Sequence, residues 1–125
     1  MLSPDEWITP VDNNNFGLWR EWLKRELLHK RHYRSDWSKR QITLQTGCEM
    51  HEGILSRASV PKGIWWHYKL YHEYNSFLLL PEEHRPQPPS RSWCIGYMSE
   101  LYGKDILKEW FESLPWRSKP PFILF

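Results

Sequence analysis

Between Cys48 and His84 the chain sets an imidazole beside an acid, in Cys48-Glu49-Met50-His51-Glu52-Gly53. It then places Tyr74-Asn75-Ser76 ahead of an apolar run, Phe77 to Leu80, that is stopped by Pro81-Glu82-Glu83-His84. A four-residue apolar run between polar flanks reads as a buried strand. Proline cannot donate to a sheet but suits the first turn of a helix, so a short helix is expected to start at Pro81. Glu82 and Glu83 in that first turn suit the helix dipole. Upstream, Cys48 to Ser56 can form an extended segment, with Gly53 permitting a bulge or a close backbone approach. A hairpin can bridge the two halves, which would bring His51 and Glu52 near Asn75 and His84.

The flanks read as helices. Phe16, Trp19, Leu23 and Leu27, with Leu28 alongside, recur at three-to-four spacing and predict an amphipathic helix over about 16–30, after N-cap candidates at Asn13 to Asn15. Ile42 and Leu44 alternate in the manner of a strand over 41–45, ended by Gly47. Pro61-Lys62-Gly63 marks a turn, and the aromatic stretch 64–71 suits a strand or tight connection. Pro86, Pro88 and Pro89 end the short helix. Ser92 can then cap a helix carrying Trp93, Tyr97 and Leu101, and Asp105 a second, beyond Gly103, carrying Ile106, Trp110, Phe111 and Leu114. Residues 1–12, with Pro4 and Pro10, and the tail after Pro115, with Pro120 and Pro121, read as irregular.

The 125 residues suit one compact domain, divided into a lead-in and basic helix over 1–40 and a core with C-terminal helices over 41–125. Nine Trp are many for this length, and most are expected in or at the edge of the core. Net charge is only +2, but eight of the 17 Lys and Arg fall between Arg20 and Arg40, opposed by Glu21, Glu26 and Asp36. Such a local excess is the footprint of a phosphate-binding surface, and Arg20, Lys24, Arg25, Lys30, Arg31 and Arg34 are the candidate contacts. A solvated helix face is the plainer alternative. Two cysteines, Cys48 and Cys94, form no disulfide framework and no zinc knuckle. No apolar run approaches a membrane span, and the N-terminus lacks a signal peptide's pattern, so a cytoplasmic location is expected.

The pair His51-Glu52, the Asn75 and the His84 nine residues beyond it resemble the signature of the HNH (ββα-metal, His-Me finger) endonucleases. Pro88-Pro89-Ser90, Tyr102-Gly103 and Ser113-Leu114-Pro115 extend the resemblance to a compact HNH type common in phages and prophages, over about 48–121. It implies an α+β fold with a ββα-metal core flanked by N- and C-terminal helices. It also implies hydrolysis of phosphodiester bonds in double-stranded DNA with one divalent ion, Mg²⁺ or Mn²⁺, in the cytoplasm of a bacterial host. A phage packaging or host protein would be a further partner. In the family the Asn orients the catalytic His or its loop, or binds metal, and the last His binds metal. Asn75 and His84 take those positions.

Two registers are open for the first half. His51 can be the general base with Glu52 as a metal ligand, or His51 the ligand with Glu52 in the base position. Neutral imidazole suits proton abstraction near pH 7 better than an ordinary carboxylate, which favours the first. Many relatives brace the fold with two cysteine pairs around a structural zinc. The second pair would fall at Leu80 and Glu83, so no structural zinc is expected, and the apolar run and Trp residues are expected to do the bracing. Two other functions compete: a DNA-binding accessory protein that keeps the fold but turns over weakly or not at all, and an interaction protein that meets its partner through Trp.

Overall fold

The apolar run forms a strand with no solvent-facing side. In the computed structural model, which describes residues 13–56 and 71–113 with side chains from Trp19 onward, β2 (Ser76–Leu79) is buried at all four positions. It pairs antiparallel with β1 (Glu49–Glu52), setting His51 opposite Phe77 and Met50 opposite Leu78. Alternation along β1 then divides its residues. Met50 joins a core of Trp19, Leu23 and Leu27 from helix α1 (Asn13–Lys30), with Leu78. Glu49 and His51 turn to the other face, beside Phe77.

That face is covered further along by α3 (Arg91–Tyr102) and α4 (Lys104–Glu112), whose Cys94, Ile95, Met98, Leu107 and Phe111 pack around Phe77 and Ile54. The two-stranded sheet therefore lies between α1 on one side and an α3–α4 pair on the other, an α+β arrangement. A sheet this small is not stable alone, and helices on both faces supply its apolar contacts. Between the strands and α3 lies the short helix α2 (Pro81–His84), entered through Leu80 with Pro81 in its first turn.

Several sequence expectations are corrected. Residues 41–45 do not form a strand beyond one isolated bridge between Arg34 and Gln41. Thr43 and Thr46 exchange backbone–hydroxyl hydrogen bonds of 2.8 and 3.1 Å, Gly47 follows at φ +74°, and Leu44 is 99% exposed. Local threonine bonds here outcompete the weak alternation. The cap of α3 is Ser90, whose hydroxyl accepts from the Trp93 N–H, and not Ser92. Gly103, at φ +101°, forms the break between α3 and α4, with Asp105 inside the first turn of α4. The readings for residues 1–12, for 61–70 including His67, and for the tail after Ser113 lie outside the described residues.

Bracing goes beyond the apolar run and the Trp side chains. The loop after α1 folds back along β2, where the Asp36 N–H donates to the Leu78 carbonyl and the Asp36 carboxylate accepts from the Leu78 N–H, at 2.8 and 2.7 Å. Arg31 donates to that carboxylate at 2.6 Å and to the Ser76 carbonyl at 2.8 Å, and the Tyr97 hydroxyl donates to Asp36 at 2.7 Å. The pair is nearly sealed from water, with side chains 7% and 1% exposed. Burial works most strongly against the Arg31 charge, but Asp36 together with Tyr102 and Tyr97 outweighs it and holds the guanidinium pKa above its usual value. At Leu80 and Glu83, Leu80 is buried, and the Glu83 carboxylate accepts from the Leu80 N–H and the Ser35 hydroxyl.

Candidate active site

His51 on β1 and His84 at the end of α2 converge, with ring centroids 5.0 Å apart. The strand–proline–helix sequence explains the placement. β2 runs past β1, Leu80 anchors in the core, and Pro81 turns the chain so that one turn of helix carries His84 back over the β1 face bearing Glu49 and His51. There His84 Nδ1 lies 2.7 Å from Glu49 Oε1. An ionised carboxylate only accepts, so the proton sits on Nδ1, and in the neutral ring the lone pair is left on Nε2. That hydrogen bond, followed by Arg85 at 3.2 Å, holds the Glu49 carboxyl below its usual range. Nε2 of His84 has no hydrogen-bond partner among the described residues. Glu49 thus sets the tautomer and orientation of His84, as carboxylates do behind imidazoles that bind metal or move protons.

His51 is half-buried, and its side chain makes no hydrogen bond or ion pair among the described residues. Burial, and then the neighbouring His84, pushes its imidazole down from the usual value near 6.5 to about 4. The ring is therefore neutral at physiological pH, the state required of a base or a ligand. In the metal-free protein an NMR pH titration should place the His51 midpoint near 4. Between about 4 and 6.5 the unfolded chain takes up a proton that the folded chain does not, so stability rises with pH across that window. The contribution is complete above about 6.5 and is lost as pH falls toward 4. A midpoint at 6.5 or above would mean that the ring is solvated.

Asn75 has a different task from metal binding. Its side chain is fully buried. Oδ1 accepts from the N–H groups of Ile54 and Leu55 at 2.9 and 2.6 Å, and Nδ2 donates to the Leu55 carbonyl at 2.9 Å. The carboxamide clamps the turn that leaves β1 directly after the His51-Glu52 pair. Gly53 in that turn lies against Cys94 and Phe77, where an added Cβ would meet the Phe77 ring at 2.8 Å. The structure thus engages the Asn75 oxygen in the turn and does not bring it to His84. Strand alternation puts Glu52 on the Met50 side of β1, opposite to the face where His51 meets His84.

The basic candidates separate as well. Arg31 is buried against Asp36 and cannot reach a phosphate. Lys30 pairs with Glu73 at 2.9 Å, and Arg20 lies over the Tyr71 ring at 5.5 Å. Arg25 and Arg34 are exposed and Lys24 is half-buried, so the helix surface keeps part of the cationic excess. His72 accepts from the Tyr74 N–H and stacks on Trp110, a packing role. Burial pushes the Cys94 thiol up to about 12, leaving it inert.

The residue that the sequence reading missed is Glu49. The signal lay in the strand period: a residue two before His51 must share its face, so once 49–52 is a strand Glu49 is the nearer acid and Glu52 the farther one. Among the described residues no group of three His, Cys, Asp or Glu side chains is arranged to hold an ion, and the expected set of His84, Glu52 and Asn75 does not assemble. What remains is two imidazoles, one oriented by a carboxylate. Comparison with family models, curated proteins and solved structures finds no match for the chain.

Proposed function

We propose that the chain is a nuclease of the HNH, ββα-metal type that hydrolyses DNA phosphodiester bonds, with His51 as general base and His84, held by Glu49, as the second reacting-site imidazole. The observation that carries this reading is the pair itself: a neutral, half-buried His51 5.0 Å from a His84 whose Nδ1 is fixed by Glu49. In this reading His51 takes the proton from the attacking water: its ring is uncharged at neutral pH, and its value near 4 makes it a weaker base than a free imidazole. Glu49 keeps His84 Nε2 turned to the scissile phosphate, and Asn75 keeps β1 and the turn after it in register so that His51 is presented at a constant angle. A hard divalent ion would neutralise charge on the phosphoryl group and the leaving oxygen. Two imidazoles are an unusual offering for such an ion, which prefers oxygen donors.

Among the described residues no third His, Cys, Asp or Glu completes a metal group with the two imidazoles, and this favours a second reading, a DNA-binding accessory protein of a phage or prophage that keeps this fold with little or no turnover. Nicking of supercoiled plasmid decides between them. Product that forms with Mg²⁺ or Mn²⁺ and is abolished by excess chelator supports the nuclease. DNA binding with no product under any of these ions supports the accessory protein. No helix among the described residues is long and apolar enough to cross a membrane.

A further inference from the structure

One aromatic side chain is held rigidly where the core has no use for it. Trp37 is 48% exposed, yet its loop is tied down on both sides of it. Ser35 Oγ accepts from the Trp37 and Ser38 N–H groups at 3.1 and 3.2 Å, and Asp36 is bonded to both backbone groups of Leu78. The indole meets Trp93 at 4.8 Å and 66°, and Trp93 stacks on Tyr97 at 4.9 Å and 19°, with Lys39 Nζ 4.3 Å over the Tyr97 ring. From this brace the rings lead back to the candidate active site, through Phe77 at 6.2 Å from Trp93 and His51 at 6.5 Å from Phe77.

Trp37 also forms one wall of an open groove of about 610 Å³, shared with Arg40, Glu82, Gln87, Pro89 and Ser90. Arg40 and Glu82 pair across its rim at 2.9 Å with more than half of each side chain in water, so the pair is weak and either partner can turn to a ligand. An acid at the rim disfavours a continuous phosphate backbone along the groove. It suits the amino edge of a base, while Arg40 can hold the adjoining phosphate. A preorganised, half-exposed indole with one cation, one hydrogen-bond acceptor and an amide around it is the equipment of a base-stacking platform.

We propose that Trp37 stacks on an unpaired base of a DNA strand. Resting on the nuclease reading, this makes the substrate a DNA whose unpaired nucleotide lies near the scissile phosphate: a single strand, a bulge or a fork. The test is fluorescence anisotropy in excess chelator with a labelled single-stranded oligonucleotide and with the duplex of the same sequence. Stacking of one base predicts that Trp37→Ala weakens single-strand binding by about 5- to 150-fold. Trp37→Phe should keep most of the affinity, and duplex binding should change little. Because no cleavage is required, the platform and the nuclease fail separately: a protein that binds single strands through Trp37 and cuts nothing keeps this proposal and loses the other. Wild-type single-strand affinity in Trp37→Ala, an equal loss for both DNAs, or no single-strand affinity in the wild type would each overturn the platform, and the first would leave Trp37 as a protein-docking surface. Thermal melting of Trp37→Ala at the wild-type temperature confirms that any loss is local.

Discussion

Arg31→Met should bring the protein close to unfolding. The substitution keeps most of the side-chain volume but leaves the Asp36 carboxylate sealed in the fold without its counter-charge. Breaking a buried ion pair from one side costs about 3–5 kcal/mol, a large part of the ~5–15 kcal/mol that holds a typical domain together. The loss should be larger than for an isolated pair, because Arg31 also donates to the Ser76 carbonyl and thereby ties α1 to the start of β2. Urea denaturation reads it as a drop in midpoint. The double variant Arg31→Met/Asp36→Asn removes the stranded charge and should recover part of the loss. A fall below about 1 kcal/mol in Arg31→Met would mean that water reaches Asp36 and that the apolar core alone braces β2.

His51→Ala should leave the fold intact and lower cleavage by about 10²- to 10⁴-fold, the usual cost of removing a positioned base. Its stability should rise slightly at pH 5, because a ring that resists protonation in the folded state is gone. Calorimetric titration with Mn²⁺ separates base from ligand. Affinity near the wild-type value makes His51 the base. A large loss of affinity, with activity partly restored at high Mn²⁺, makes it a ligand and moves proton transfer to another group.

How far the sequence alone reaches can be judged residue by residue. The passage from Asn75 to His84 is legible because proline, an apolar run and two acids each have one comfortable local place, and together they order strand, cap and helix. The basic helix is legible for the same reason, through its three-to-four spacing of Trp19, Leu23 and Leu27. Partnerships set by register are not legible. Glu49 rather than Glu52 reaches His84 because β1 presents alternate residues to one face, and which residues those are depends on pairing with β2. Arg31 looks like one more cation among eight until the loop after α1 folds back and lays Asp36 along Leu78. Asn75 shows the limit in another way: its place in the motif is visible, but its role as a clamp on Ile54 and Leu55 follows only from the hydrogen bonds its carboxamide makes to them. Ile42 and Leu44 mislead because a two-residue alternation is weak against the Thr43 and Thr46 hydroxyls, which close a turn by themselves.

The central claim is that His84, oriented by Glu49 and facing His51, is part of a site that cuts DNA. The most direct measurement is nicking of supercoiled plasmid by the wild type and by His84→Ala, side by side in Mn²⁺ and in excess chelator, with both proteins shown to melt alike. Ion-dependent nicking by the wild type and its loss in His84→Ala are the expected results. Equal nicking by both proteins, or undiminished nicking in excess chelator, would contradict the claim.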